Sequence, residues 1–82
     1  SRSLKHPMKE LIEYMARSLA SDPDAVVVTE SMEDGRIVFR LQVADEDKGK
    51  VIGRQGRVAQ AMRTLLRVAA VKDGSQAVLE IV

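Results

Sequence analysis

Two glycines separated by two residues, Gly53 and Gly56, are the feature of this sequence best suited to binding chemistry. Glycine accepts a positive φ and lets a ligand come close to the backbone, because it has no Cβ. A helix is predicted to begin directly after Gly56, and a helix N-terminus exposes unpaired N–H groups that attract anions. The segment therefore predicts a site for an anion of the size of a phosphate, with Arg54 and Gln55 between the glycines.

The surrounding stretch is strongly basic. From Lys48 to Lys72 there are seven basic residues and no acidic one, although the whole chain has a net charge of only +1. Such a patch attracts polyanions, and we expect Lys50, Arg54 and Arg57 to add positive charge beside the loop. A solvated helix surface without a ligand is the alternative explanation. The aliphatic neighbours of the loop are predicted to anchor it and to line an apolar groove for bases: Val51, Ile52 and Val58.

The spacing of the glycines alone leaves structural explanations open. Gly53 could be the C-cap of one helix and Gly56 a tight-turn residue before the next. Other nucleotide motifs fit less well, because a Walker A loop needs a Lys followed by Ser or Thr, and a dinucleotide fingerprint needs a different glycine spacing.

Other chemistry has little support. The absence of cysteine excludes disulfides, thiolate metal sites and a cysteine nucleophile. His6 stands alone near the N-terminus, and no catalytic or metal-binding role is expected for it. The acidic run 45–47 could bind Mg²⁺, but capping of the following helix is the simpler interpretation. We therefore expect no enzyme, cofactor, metal or small-molecule substrate, and no membrane association, since no apolar run approaches about 20 residues.

The length of 82 residues predicts one domain. We expect residues 1–6 to be an N-terminal tail, part of it an addition introduced in cloning, and 7–82 to form the domain. Hydrophobic periodicity predicts helices and strands. The helices are expected over 7–20, 46–52 and 57–71, and the strands over 25–31, 36–43 and 76–82, with a hairpin turn at 32–35.

This order, α-β-β-α-α-β, predicts an α+β fold of two layers. The first two strands pair antiparallel, and the third returns through a helical crossover parallel to the second. The result is a three-stranded mixed sheet with helices on one face. The apolar stripe of the first helix is predicted to be Leu11, Ile12, Met15 and Leu19; that of the last helix is Val58, Met62, Leu65, Leu66 and Ala69. Val38 is an exception on the polar face of its strand.

The segment 51–58, VIGRQGRV, resembles the Ile-Gly-x-x-Gly signature of the KH domain. The element order is similar to the type II (prokaryotic) arrangement of that fold. The small size, the first helix and the segment 47–57 together resemble the bacterial KhpA family, and the resemblance extends over residues 7–82.

This resemblance implies a non-enzymatic, cytoplasmic RNA-binding protein that acts as an RNA chaperone or post-transcriptional regulator. KH loops clamp the backbone of about four nucleotides. On this pattern Gly53 and Gly56 admit the phosphates, and Arg54 and Gln55 flank the sugar-phosphate chain. The resemblance assigns the remaining site residues as a groove floor of Val51, Ile52 and Val58, with electrostatic steering by Lys50 and Arg57.

The resemblance also implies pairing, as a homodimer or with a larger KH-containing partner of the KhpB type. The alternative function is a KH-fold dimerisation module that binds little RNA of its own. Tyr14 and Phe39 are the only aromatic residues, so an aromatic stacking platform is not expected. A single copy is therefore predicted to bind single-stranded RNA weakly.

Overall fold

The computed structural model describes residues 7–82, and the expectations for the tail 1–6, including His6, lie outside the described residues. Within that range the predicted order α-β-β-α-α-β is confirmed. The elements are α1 (Pro7–Leu19), β1 (Val27–Glu33), β2 (Arg36–Gln42), α2 (Lys48–Ile52), α3 (Arg57–Asp73) and β3 (Ala77–Ile81). Short 3₁₀ turns occupy residues 23–25, 45–47 and 54–56. No helix in 7–82 combines the length and apolar character that crossing a bilayer requires.

The three strands form one sheet in the order β1-β2-β3. As predicted, β1 and β2 are antiparallel, and β2 and β3 are parallel. β1 begins at Val27 rather than at residue 25, because the chain first makes a 3₁₀ turn that starts at Pro23. Only Asp34 and Gly35 connect β1 to β2, and their φ values of 53° and 76° suit a two-residue hairpin turn.

The helices cover one face of the sheet, and the hydrophobic core lies between the two layers. Its largest fully buried apolar side chains come from both layers: Phe39, Ile12, Leu41, Met62, Leu66 and Val51. On α1 the fully buried positions are Ile12 and Ala16, whereas Leu19 remains 39% exposed at the end of the helix.

The predicted core face of α3 is wrong at Leu65, which is 47% exposed. Ala59 and Ala70 are buried instead. Together with Met62 and Leu66 these alanines recur every three or four residues and form the core face, and Leu65 lies about 100° around the helix from Leu66.

The other face of the sheet carries an exposed ionic cluster. Arg40 donates from Nη2 to Glu33 on β1 (3.0 Å) and from Nε to Glu80 on β3 (2.9 Å). These carboxylates raise the pKa of Arg40, with the bond to Glu33 as the larger cause. Val38 stands on this face between Arg36 and Arg40, and it is only 5% exposed. Long arginine stems beside Val38 can cover apolar surface where there is no second layer of helices.

Candidate nucleic-acid interface

Gly53 ends α2 and is required by contacts within the protein. Its N–H donates to the carbonyl of Gly49 (2.8 Å), and its φ of 79° and ψ of 171° are nearly restricted to glycine. A Cβ at Gly53 would lie 2.4 Å from Cγ2 of Val58 and 2.8 Å from its backbone nitrogen. The chain therefore folds back onto the first turn of α3 at a distance that no other residue permits.

Gly56 directly precedes α3, and its surroundings differ from those of Gly53. Its φ of 72° is left-handed, and so is the φ of 59° at Gln55. A Cβ at Gly56 would meet no atom within 4 Å. From the sequence, Gly53 was offered as a helix C-cap and Gly56 as a turn residue, and the backbone geometry agrees with both. The space beside Gly56, however, is left open by the protein.

The start of α3 carries no side-chain cap at Gly56. The N–H of Arg57 bonds to the carbonyl of Arg54. The next N–H groups of this 17-residue helix have no helical acceptor, and they carry the partial positive charge of the helix dipole. The loop 53–56 and the first turn of α3 therefore present donors, positive potential and free space in one place.

The two lysines before the loop are already engaged. Lys48 pairs with Asp45 at 3.4 Å. Lys50 pairs with Asp47 at 3.6 Å, and its ammonium group also donates to the hydroxyl of Ser21. Lys50 was predicted to steer a polyanion, but its charge is partly neutralised by these contacts. Within residues 7–82, no such partner is found for Arg54, Arg57 or Arg67.

Asp47 is the buried charged residue in the described part of the chain. Its carboxylate accepts the backbone N–H of Ser21 (2.9 Å) and of Asp22 (3.1 Å), which follow α1. These two bonds, more than the nearby Lys50, lower the pKa of Asp47. The predicted capping role is therefore wrong for this side chain, which makes no cap bond to α2. It fastens the start of α2 to the end of α1 instead.

The magnesium alternative for this acidic run has no structural basis in the described residues. Asp45 is 98% exposed at its side chain, whereas Asp47 is completely buried. No group of three or more histidine or acidic side chains within 7–82 is arranged to hold a metal ion.

A basic stripe follows α3 away from the loop. Gln60, Arg63 and Arg67 succeed Gly56 at intervals that return to one side of a helix. Arg63 donates from Nε to the carbonyl of Leu79 on β3 (3.5 Å). The sequence alone did not assign roles to Arg63 and Arg67. Their helical spacing from Gly56 was the pattern that could have placed them on the same side of α3 as the loop.

This stripe borders a cleft between α3 and β3. A cavity of about 210 Å³ is lined by Arg63, Leu66, Arg67, Ala77, Val78 and Leu79. β3 is an edge strand, and the carbonyl of Gln76 and the N–H of Val82 bond inwards to β2. Strand alternation then directs the backbone groups of 77, 79 and 81 outwards. The cleft thus offers backbone donors and acceptors along one wall and guanidinium groups along the other.

The aliphatic residues beside the loop do not all face this space. Ile52 is 39% exposed, and Val58 is half-buried against the core. Val51 is completely buried, so its side chain supports α2 from below. Val51 was expected to line a groove, but its side chain is buried in the core instead.

A loop of two glycines between two helices, beside a mixed sheet of this order, defines a KH domain of type II. The family model described as the KH domain of KhpA/KhpB matches residues 9–81, and the chain belongs to this family. The RNA-binding protein KhpA of Clostridium acetobutylicum is 49% identical over 75 residues, which cover 92% of this chain and 100% of that protein. KhpA of Treponema pallidum is 47% identical, covering 90% and 92%.

Solved structures of Era have the same fold. Era from Aquifex aeolicus, bound to GDP and aluminium fluoride, aligns with a TM-score of 0.62 and 18% identity over 92% of this chain. Era in complex with a nucleotide and a segment of 16S ribosomal RNA aligns with a TM-score of 0.61 and 19% identity over 90%. The chain spans 29% and 28% of these two Era chains, so the likeness concerns one part of each.

Proposed function

We propose that this protein binds a short single-stranded segment of RNA, with the sugar-phosphate chain on the loop 53–56 and the bases in the cleft between α3 and β3. It acts without catalysis, as an RNA chaperone or post-transcriptional regulator in the bacterial cytoplasm. The relatives named RNA-binding protein KhpA support RNA as the ligand. The Era complex supports it too, because a protein with this fold is seen there with ribosomal RNA.

The observation that carries the proposal is the contrast between the two glycines. Gly53 is explained by its contact with Val58, but Gly56 has open space where a Cβ would stand. That space adjoins the uncapped start of α3, and Arg54 and Arg57 lie on either side of it without partners in the described residues. A phosphate there would receive backbone N–H groups and two guanidinium groups.

The lining of the cleft suits the binding of bases better than the binding of further phosphates. Leu66 and Leu79 give it an apolar floor, and the outward backbone groups of β3 can bond to the edges of bases. α3 rises about 1.5 Å per residue, so Arg67 lies about 16 Å from Gly56 along the helix. This length suits the four nucleotides that KH domains hold.

The deciding experiment replaces Arg54 and Gln55 together with Asp. Both side chains are exposed, and Asp tolerates the left-handed conformation at residue 55. Two negative charges then face the phosphates and one positive charge is lost, so binding to an unstructured RNA should be lost while the circular dichroism spectrum is retained. Binding is measured by fluorescence anisotropy.

A control variant carries the same charge change on α1. Arg17 and Ser18 are exposed neighbours, and their joint replacement with Asp should leave most of the affinity intact. Equal losses in the two variants would show that only net charge matters, and the loop would then not be the site.

We further propose self-association through α3, because one exposed strip of that helix is apolar. Leu65 and Val68 are 47% and 50% exposed, and Ala61 is exposed beside them. On a helical wheel this strip lies about 100–160° from Arg67. A second copy, or the KH domain of a KhpB-type partner, could therefore cover the strip without blocking the cleft.

Sedimentation velocity over a range of concentrations tests this pairing. Leu65→Glu should give a monomer that still binds a four-nucleotide RNA, because a charge at the strip opposes its burial. Met32→Glu is the control, since Met32 is 68% exposed on β1. A parent protein that stays monomeric at high concentration would contradict the proposal.

A further inference from the structure

The cleft between α3 and β3 does not stop at Arg67. A second cavity, of about 380 Å³, shares Arg67, Ala77 and Val78 with the first and continues towards the end of α3. It adds Arg36 at the start of β2, together with Val71 and Gln76. The two cavities therefore form one continuous depression along the edge strand.

The chemistry of this second cavity differs from that of the loop. Its floor contains Ala70 and Ala77, Val71 lines it at a position that is 70% exposed, and no acidic side chain lines it. Arg36 and Arg67 are exposed and find no partner within residues 7–82. Gln76 and Ser75 add neutral hydrogen-bonding groups. An apolar floor with guanidinium and amide groups above it suits a planar, polar-edged ring.

The local backbone argues against a phosphate at the floor itself. α3 ends here, and Gly74 and Ser75 cap its carbonyls through bonds to Val71 (3.1 Å) and Ala70 (2.9 Å). The C-terminal end of a helix carries partial negative charge, and Asp73 lies nearby, bonded to the hydroxyl of Ser75. A base is therefore a better occupant of the floor, with its phosphate turned towards Arg36 and Arg67.

We propose that this cavity is an additional nucleotide subsite, which takes the base of the nucleotide following the segment held by the loop and the first cavity. The inference rests on the proposed function. It extends the contacted RNA beyond the four nucleotides that a KH loop clamps, and it assigns Arg36, at the far end of the cleft, to RNA binding.

The test compares oligouridylates of four and eight nucleotides, titrated against the parent protein and Arg36→Gln by NMR. The variant should bind the eight-nucleotide RNA at least about tenfold more weakly, the loss expected for one hydrogen bond to a charged group. Its affinity for the four-nucleotide RNA should stay within about twofold of the parent. In the parent, the amide signals of Ser75 and Gln76, which line only the second cavity, should shift with the longer RNA and not with the shorter.

Arg17→Gln is the control, because it removes the same charge from the exposed side of α1. If Arg36→Gln weakens both RNAs equally, or behaves as Arg17→Gln does with the longer one, the subsite is refuted while loop binding stands. If neither RNA binds the parent, the proposed function fails and the subsite with it.

Discussion

Gly56 and Gly35 form a matched pair of residues that separates strain from ligand contact. Their φ values are 72° and 76°, and a Cβ would meet no atom within 4 Å at either position. Changing either to Ala should therefore cost the same left-handed strain, about 1 kcal/mol, and lower the melting temperature by about 4–8 °C. Only Gly56→Ala should also weaken RNA binding, because only there would the methyl group enter the space offered to the phosphates. Calorimetry and anisotropy measure the two effects. Equal affinities for the two variants would contradict the assignment.

Gly53→Ala should behave differently from both. The new Cβ would overlap the side chain and backbone of Val58, and the ψ of 171° adds strain. We expect a loss of at least about 2 kcal/mol in unfolding free energy, measured by urea denaturation. Such a loss is large for an 82-residue domain, since small domains have thin stability margins. A fully stable Gly53→Ala protein would mean that the close approach to Val58 can relax.

Asp47 allows a test in which charge and position have opposite effects on RNA binding. Removing a negative charge near the loop should strengthen the binding of a polyanion if charge alone mattered. Asp47→Asn, however, turns an amide donor towards the N–H groups of Ser21 or Asp22 and loosens the start of α2. We expect binding at least about threefold weaker, a typical effect for a residue that acts without touching the ligand.

Asp45→Asn provides the reference for that measurement. It removes the same charge two residues away, from a side chain that is 98% exposed. Anisotropy titrations should place the affinity of Asp45→Asn at or above that of the parent, and Asp47→Asn below it. If both variants bind more tightly than the parent, Asp47 does not position the loop.

At the scale of elements, the buried carboxylate of Asp47 fastens the start of α2 to the end of α1, which makes their contact sensitive to acid. The pKa of Asp47 is lowered in the folded protein, so the charged form is stabilised by folding. This stabilisation is present above the ordinary pKa of about 3.9 and is lost as the pH falls through the lowered value. The melting temperature of the parent should therefore fall more steeply below about pH 4 than that of Asp47→Asn. Parallel curves for the two proteins would contradict this linkage.

Periodicity predicted the type and order of every helix and strand within 7–82, but not every buried face. On α3 the large Leu65 was expected inside, whereas Ala59 and Ala70 are buried instead. The role of Asp47 could not be predicted, since its partners, Ser21 and Asp22, are 26 and 25 residues away. Capping rules consider only hydrogen bonds between a side chain and its own helix, whereas the Asp47 carboxylate accepts N–H groups that follow α1.

At the scale of the whole molecule, the basic groups that remain free determine how binding depends on salt. With three to four phosphate contacts, the logarithm of the affinity should fall with the logarithm of salt concentration with a slope of about −2 to −3. Arg57→Gln should reduce the magnitude of this slope by about 0.7, while Arg17→Gln should leave it unchanged. Anisotropy titrations at several salt concentrations measure the slopes. An unchanged slope for Arg57→Gln would remove that residue from the phosphate path.

The two-layer architecture could be predicted from the sequence, but the extent of the proposed RNA path could not. The loop residues are contiguous and carry a recognisable pattern. Arg36, Arg67 and the outer edge of β3 come from three separate segments, and only the sheet order β1-β2-β3 brings them together. The loop was therefore predictable, and the cleft was visible only in three dimensions.

The free edge of β3 has a consequence for the protein without RNA. Unpaired backbone groups on an edge strand can accept a strand from another molecule, which is a common start of aggregation. β3 has only five residues, and Arg63 already occupies the carbonyl of Leu79. Glu80 also keeps a charge at this strand. These features limit strand addition at β3, so this edge can stay available to nucleic acid.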